Sequence, residues 1–367
     1  MESVGKLRVG LLFGGRSGEH EISIRSAHSV AEAIDRDRWD PVLVGIDRAG
    51  RWYLHDERSF RALEKDAAGN TENEVLLVSR RDGVGLVRSE QANGNLVRLD
   101  VVFPVLHGTF GEDGTIQGML EMFALPYVGA GVLGSAVGMD KDVQKRLLHE
   151  AGLPIVDYEV VRQPDWQKAR EEVRGRMARL GFPVFVKPAN LGSSVGISKA
   201  RSSSELDDAI GLALSYDRKA LVERGIDARE IECSVLGNDE PSASLPGEIV
   251  AGADFYSYAA KYSDESVARL LIPAPLSEAL QGSVRSLAVR TFRTLDCAGM
   301  ARVDFFLDRV DDTLYVNELN TIPGFTSISM YPKLWEASGM PFAKLVGTLL
   351  ELALERHESR RRLRVDL

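Results

Sequence analysis

Two stretches late in the chain carry the residue types that metal-assisted chemistry needs. "ARVDFFLD" sets Arg302 and Asp304 two residues apart in an apolar run, and "LYVNELNTIPGF" does the same with Glu318 and Asn320. Side chains alternate along a strand, so each pair shares a face. If the two runs form a hairpin, two carboxylates, an amide and a guanidinium converge. Hard oxygen donors without imidazole or thiolate suit magnesium, which takes carboxylates, water and phosphate oxygens. Polar residues on a solvated strand are the plain alternative, but they do not account for the "TIPGF" that follows.

A phosphate cradle is the second candidate. "FVKPANLGSSVGISK" places Lys187 at the end of an apolar strand, just before a Gly-Ser-Ser turn. The cation, the backbone N–H groups and the hydroxyls of Ser193 and Ser194 can fold over an anion. Taken alone, a hairpin with a snorkelling lysine reads equally well. Two other motifs mislead. "GAGVLG" at 129–134 matches a dinucleotide fingerprint, but it comes long after the first strand–turn–helix unit, and no acid closes a second strand at the expected distance. "GSSVG" at 192–196 matches a hydrolase nucleophile elbow, but it leads into a strand, and the only histidine after Ser194 is His357. No G-x-x-x-x-G-K-[ST] loop is present.

The elements that must position these residues follow from periodicity. "LRVGLLFGG" is a strand, and "EISIRSAHSVAEAI" after it puts Ile22, Ala27, Val30 and Ile34 at helical spacing. "DPVLVGID" and "LDVVFPVLHG" are further β-branched runs, which predicts a parallel sheet with covered faces to about residue 130. Next come a helix over "GSAVGMDKDVQKRLLHEAG", a strand "VDYEVV" and a long charged helix from Asp165 to Leu180. "FPVFVKPA" and "VGISKA" are too close for a crossover and form a hairpin. A serine-capped helix "SSSELDDAIGLALSY" leads to strands "ALVERGI" and "EIECSVLG". After "GEIVAGADF", "YSYAAKYSDESVARLLIPAP" shows neither period, and so long a loop inside a compact chain reads as a lid or binding loop. A helix from Ser277 to Leu295, the two chemistry-bearing strands and the amphipathic helix "FAKLVGTLLELALERH" complete the chain, while "KDAAGNTENEVLL" reads as a surface loop.

Composition bounds the partners. A chain of 367 residues allows two or three domains, and 44% hydrophobic with 27% charged residues is ordinary for a folded protein. A net charge of -9 and a pI near 5.4 argue against nucleic acid or an anionic membrane as the main partner. The basic run "RHESRRRLR" reads as a solvated helix end. Cys233 and Cys297, without a CxxC, give no disulfide framework or zinc site and read as buried thiols in a reducing compartment. With no basic-then-apolar leader and no run of about 18 apolar residues, the expected location is cytoplasmic.

Taken in order, "GGRSGEHEIS", "LHGTFGEDGTIQG", "GMDK", Lys187 with "GSSVG", Arg302-x-Asp304 and Glu318-Leu-Asn320-Thr-Ile-Pro-Gly324 resemble the D-alanine:D-alanine ligases of the ATP-grasp superfamily over residues 7–355. The resemblance implies an α/β (α+β) fold of three domains. These are an N-terminal α/β domain over 1–130, a central ATP-grasp lid domain with the glycine/serine loop over 131–222, and a C-terminal ATP-grasp domain over 223–367 with the metal site and a mobile loop over 254–275. ATP lies between the last two.

It also implies the reaction. The carboxylate of one D-alanine takes the γ-phosphoryl group of ATP, and the amine of a second attacks the acyl phosphate, making a peptidoglycan precursor. Lys141 and Lys187 would hold the α- and β-phosphates, with Ser194 in the cradle. Glu223, Arg224 and Ile226 would line the adenine pocket and Glu230 would take the ribose. Asp304, Glu318 and Asn320 would hold two Mg2+ ions, or Mn2+ in their place, with Glu318 bridging. Glu19 would pair with the ammonium of the first D-alanine, and His107 would lie near its carboxylate. Arg302 and the N–H of Gly324 would stabilise the oxyanion. Ser329 and Met330 would receive the second carboxylate. Lys261 would reach the γ-phosphate, and Tyr262 would join Ser193 and Glu19 in a network.

A homodimer is implied as well. A D-alanine:D-lactate ligase would typically replace Tyr262, and another carboxylate–amine ligase of the superfamily would lack the combination of Glu19, Ser193 and Tyr262. A non-catalytic nucleotide-binding regulator would have lost a ligand or a donor from Arg302, Asp304, Glu318 and Asn320. Asn190-Leu191 stands where some relatives carry a charge.

Overall fold

The structure is a computed structural model that describes residues 5–91, 94–192, 195–250, 269–326 and 328–364. The strand Leu7–Gly14 runs through a Gly-Gly turn into the helix His20–Ala33, which buries Ile22, Ala27 and Val30 as the spacing predicts. Gly14 has φ +88°, and a Cβ there would lie 2.3 Å from the Ile46 carbonyl oxygen, so only glycine serves.

Leu7–Gly14 pairs in parallel with Trp39–Ile46 and with Val101–Pro104. The parallel expectation holds for these three strands only. Trp52–His55, Glu74–Arg80, Gly83–Arg88 and Val97–Arg98 extend the sheet antiparallel, which makes seven strands. Connections such as 47–51 and 81–82 are too short for a crossover, so hairpins are forced. The segment "KDAAGNTENEVLL" is not a detached surface loop either: Ala67 is fully buried, and the segment's end enters the strand Glu74–Arg80.

Two expected helices are broken. "GSAVGMDKDVQKRLLHEAG" divides into Val132–Met139 and Lys141–Glu150, because Asp140 is extended and its carboxylate accepts the N–H groups of Asp142 and Val143, both at 3.1 Å. Aspartate is a favoured N-cap, worth about 1 kcal/mol, and this signal was present in the sequence. The charged helix divides into Gln163–Lys168 and Arg170–Met177, with a short 3-10 turn Ala178–Leu180. Its break at Ala169 has no cause that we can identify in residue type or packing.

The second sheet is antiparallel, in the order Ser198–Ala200, Val184–Pro188, Lys219–Arg224, Tyr158–Arg162, and includes the predicted hairpin. Ser202 caps the helix Ser203–Tyr216, which packs Leu206, Ile210 and Ala213 with Val184, Val186 and Val222. The strand Lys219–Arg224 runs across the expected 222/223 boundary.

The third sheet is also antiparallel: Arg269–Leu271, Gly247–Val250, Ala228–Gly237, Gly299–Asp308, Leu314–Asn320, with Ser242–Ala243 added to Ala228–Gly237. The stretch expected as a loop over 254–275 therefore includes a strand, while its residues 254–268 lie outside the described residues. Ile231, Cys233, Val303 and Val316 form a core with Val284, Ala288 and Phe292 of the helix Glu278–Thr294. Burial pushes the Cys233 thiol up to about 12, and Cys297 is only partly buried as a residue.

The final helix, Phe342–Arg361, returns to the first sheet. It buries Leu345, Val346, Leu349 and Leu350 with Val9, Phe13, Val101 and Phe103, each side chain worth about 1.5–3 kcal/mol. Its basic end is not merely solvated: Arg356 donates to the carbonyls of Gly129 and Tyr127 and lies over the Tyr127 ring. Among the described residues, no single helix is long and apolar enough to cross a membrane.

Candidate active site

The two chemistry-bearing strands pair, with Asp304 opposite Glu318 and Arg302 opposite Asn320. A bulge makes this possible. Val316 is fully buried, so strict alternation would bury Glu318 beneath the same face. The register instead shifts after Asp304, leaving Asn317 as the extra residue, and Glu318 and Asn320 emerge on the face opposite buried Leu319. Gln144 grips the peptide groups of Leu319, donating to its carbonyl at 3.2 Å and accepting its N–H at 3.0 Å.

The neighbouring strand adds Glu232 opposite Asp304, so Glu232, Asp304 and Glu318 form a row across three strands. Glu232 was missed, although alternation in "EIECSV" aims it away from the buried Ile231 and Cys233. Arg302 donates to both Asp304 oxygens at 2.7 Å and lies 3.0 Å from Glu232 Oε2. Asn320 Nδ2 donates to Asp304 Oδ2 at 3.0 Å. Burial alone would lower the Arg302 pKa, but Asp304 and Glu232 raise it well above the ordinary value, so the guanidinium is a permanent charge.

Lysines from a helix and a strand lie beside this row. Lys141, at the start of its helix, donates to the Leu191 carbonyl at 2.8 Å and lies 3.4 Å from Glu318 Oε2. Lys187 lies 2.7 Å from Glu223 Oε2 and donates to Asn317 Oδ1 at 3.4 Å. Lys145, which the sequence reading did not single out, lies 3.1 Å from Glu223 Oε1 and is about 1% exposed. Burial would raise the Glu223 pKa, yet the two lysines hold it below the usual value; Glu223 and Glu318 likewise outweigh burial at Lys187 and raise it. At Lys145 burial prevails and lowers the pKa. Lys219 secures the turn before Lys141, with Nζ 2.7 Å from both Asp140 oxygens and 2.9 Å from Asp142 Oδ2.

Of the other predicted nucleotide residues, Arg224 extends toward Asp157 at 3.5 Å, Ile226 is half-buried beyond the strand end, and Glu230 lies one alternation before Glu232 on the same strand. Glu19 stands at the N-cap position of the helix His20–Ala33 without a side-chain bond to it, and its carboxylate faces Gly192, where a Cβ would lie 2.6 Å from Oε1. His107 is buried, and its ring nitrogens meet Ile322 O at 2.9 Å and Ser26 Oγ at 3.0 Å. Gly324 approaches Ser329, whose hydroxyl accepts the Thr326 N–H at 3.0 Å, and Met330 opens the helix Met330–Ala337 with its side chain buried. Ser193, Ser194, Lys261 and Tyr262 lie outside the described residues. Glu112 was also missed: it accepts the Gly108 N–H at 2.9 Å, and burial, then Glu19, push its carboxyl well above the usual range.

Asp304, Glu318 and Asn320 offer two carboxylates and an amide oxygen on one face. That set fits a hard divalent cation whose remaining positions go to water and phosphate oxygens, and the lysines and Arg302 fit the phosphates themselves.

Comparison with known proteins concerns the whole chain. Residues 8–130 match the family described as D-ala D-ala ligase N-terminus, and residues 147–351 match D-ala D-ala ligase C-terminus. A D-alanine--D-alanine ligase of Thermoanaerobacter sp. (strain X514) is 50% identical over 358 residues, covering 97% of this chain and 98% of that protein. D-alanine--D-alanine ligase A of Salmonella typhimurium is 45% identical, covering 99% and 100%. Among solved structures, the D-alanine-D-alanine ligase from Coxiella burnetii superposes with TM-score 0.86 at 39% identity, covering 97% and 96%. The VanG D-Ala:D-Ser ligase from Enterococcus faecalis gives 0.83 at 32% identity, covering 95% and 100%.

Proposed function

The chain belongs to the D-alanine–D-alanine ligase family, and on that premise we propose that it joins two D-alanines at the expense of ATP, by way of a D-alanyl phosphate. The observation that carries the reading is the row Glu232, Asp304 and Glu318, with Arg302 beside it and Lys141 against Glu318. Phosphoryl transfer needs positioning and charge neutralisation more than a protein nucleophile, and this face supplies both.

Lys141 and Lys187 hold the α- and β-phosphates, and Glu223, Arg224, Ile226 and Glu230 line the nucleoside. Two Mg2+ ions, or Mn2+, bound by Asp304, Glu318 and Asn320 would neutralise the phosphate oxygens and keep the γ-phosphoryl group in line. Glu19 takes the ammonium of the first D-alanine. Once its carboxylate carries the phosphoryl group and ADP has formed, the free amine of the second D-alanine, docked at Ser329 and Met330, attacks the acyl carbon. Arg302 and the Gly324 N–H stabilise the resulting oxyanion, and its collapse expels phosphate while the attacking nitrogen gives up a proton to the phosphate, which leaves the dipeptide. Lys261, Tyr262, Ser193 and Ser194 complete the closed site, which excludes water from the acyl phosphate. The 1–130, 131–222 and 223–367 units, a cytoplasmic location, a homodimer and a role in peptidoglycan precursor synthesis belong to the same proposal.

Phosphate release and dipeptide formation, measured with Mg-ATP and D-alanine and repeated with D-lactate or D-serine as second substrate, test it. Release that depends on D-alanine, with the dipeptide as main product, is expected. No D-alanine-dependent release would sink the assignment, and faster turnover with D-lactate or D-serine would move it to a sister activity.

A further inference from the structure

The turn that carries Gly324 is held from outside its own sheet. Ser26 sits in the helix His20–Ala33 and His107 follows the strand Val101–Pro104, so both belong to the N-terminal part of the chain. His107 Nδ1 lies 2.9 Å from the Ile322 carbonyl oxygen, Nε2 lies 3.0 Å from Ser26 Oγ, and the Phe325 N–H donates to that same oxygen at 3.3 Å. The fixed ends settle the protons in between. A carbonyl only accepts, so Nδ1 carries the hydrogen; Nε2 of the neutral ring then accepts the Ser26 hydroxyl proton, and the Ser26 oxygen accepts from Phe325. Burial lowers the His107 pKa and favours this neutral form. Two acids are in reach: Glu19, whose charge opposes but does not outweigh burial, and Glu112, 3.8 Å from Nδ1.

We propose that His107 and Ser26 are positioning residues that clamp both flanks of the Pro323–Gly324 peptide and thereby aim the Gly324 N–H at the developing oxyanion. Both ring nitrogens of His107 are committed to protein groups, and the side chain is about 2% exposed. Its contribution therefore passes through the turn rather than through a direct bond to substrate. Pro323 has no N–H of its own, so between Ile322 and Phe325 the Gly324 N–H is the one donor left for a ligand. Phe325 seals the clamp, with its ring against Phe103, Tyr331 and Phe342 at centroid distances of 5.7, 5.5 and 5.9 Å.

This inference rests on the ligase reading for its kinetic consequence but not for its structural one, so two measurements separate the failures. Hydrogen exchange of the 322–326 segment should quicken at least about tenfold in Ser26→Ala while the thermal midpoint moves little; unchanged protection overturns the clamp whatever the enzyme does. In turnover with D-alanine, Ser26→Ala should lose roughly 10- to 100-fold in kcat, a fraction of what a lost oxyanion donor costs. KM for D-alanine should stay within about threefold. A dipeptide phosphinate, which mimics the tetrahedral intermediate, should weaken by the same factor as kcat/KM. Ser26→Thr, which keeps the hydroxyl, should recover most of the loss. His107→Asn, which keeps only the donor toward Ile322, should fall between Ser26→Ala and the parent, and it serves as the main variant if Ser26→Ala does not fold. A raised KM with kcat intact would make His107 a substrate-binding residue and overturn the proposal, as would a folded Ser26→Thr no better than Ser26→Ala.

Discussion

The acidic hairpin, proposed above as the metal site, and the lysine cluster around Glu223 are built in different ways. Arg302, Asp304, Glu318 and Asn320 come from two strands joined by a short turn, so local pairing and one bulge suffice to assemble them. Lys141, Lys145, Lys187 and Glu223 come from a helix start, a helix interior and two strands of another sheet, and meet only when the second and third sheets are in place. The hairpin carries chemistry on a rigid local unit. On the proposed reading, the cradle would make nucleotide binding depend on the whole arrangement.

The sharpest break of that comparison is at the hairpin. Glu318→Ala should cost at least about 10³-fold in kcat with little change in thermal midpoint, since its side chain is about 23% exposed and carries no core packing. Turnover within tenfold of the parent would mean that the metal face is elsewhere. At the cradle, Lys145→Met should act on binding and stability together. It leaves Glu223 with Lys187 alone, so KM for ATP should rise roughly 10- to 100-fold, and stability should fall by up to about 3–5 kcal/mol, the range for a broken buried pair. Combining it with Glu223→Gln should recover part of that stability, and strict additivity of the two changes in denaturant titrations would show that the pair is not coupled.

A smaller effect is expected at the joint between the regions. Asp140→Ala removes the N-cap before Lys141 and two contacts to Lys219, and should cost about 1–2 kcal/mol in urea unfolding and raise KM for ATP only modestly. The smallest effect comes from outside both. His55 donates to the Ala67 carbonyl at 3.1 Å, and burial lowers its pKa below 6.5. A base with a depressed folded pKa binds its proton more readily when unfolded, so stability is full above pH 6.5 and is lost as pH falls below it. His55→Gln should flatten that decline between pH 7.5 and 5.5 in urea titrations, whereas Glu223 and Lys187, which keep their charges across this range, should contribute little to it.

The hairpin was legible in the sequence because its signals are local. Alternation puts Arg302 with Asp304, and the same spacing puts Glu318 with Asn320. What alternation could not show was the bulge at Asn317, since a bulge depends on the partner strand. The cradle was half legible. Lys187 stands out at a strand end, but Lys145 looks like any lysine on a charged helix, and only its burial against Glu223 sets it apart. The first sheet was read as wholly parallel because "DPVLVGID" and "LDVVFPVLHG" are strong β-branched runs, whereas two of the strands that extend it, Trp52–His55 and Val97–Arg98, are too short to show a period. Arg356 shows the same limit: in "RHESRRRLR" it is one arginine among several, and its docking on Tyr127 and Gly129 depends on a fold that joins residues more than two hundred positions apart.

The return of the helix Phe342–Arg361 to the first sheet also sets an order on synthesis. Val101 and Phe103 leave the ribosome long before Leu345, Leu349 and Leu350, which share their core. At about 5–20 residues per second, the gap is on the order of 10–50 s. During that interval an apolar sheet face is complete in sequence but not yet covered by its last helix, which leaves it open to association with other chains. A late stop codon would strand the first hundred residues in an aggregation-prone form, even though every residue of that sheet had been made.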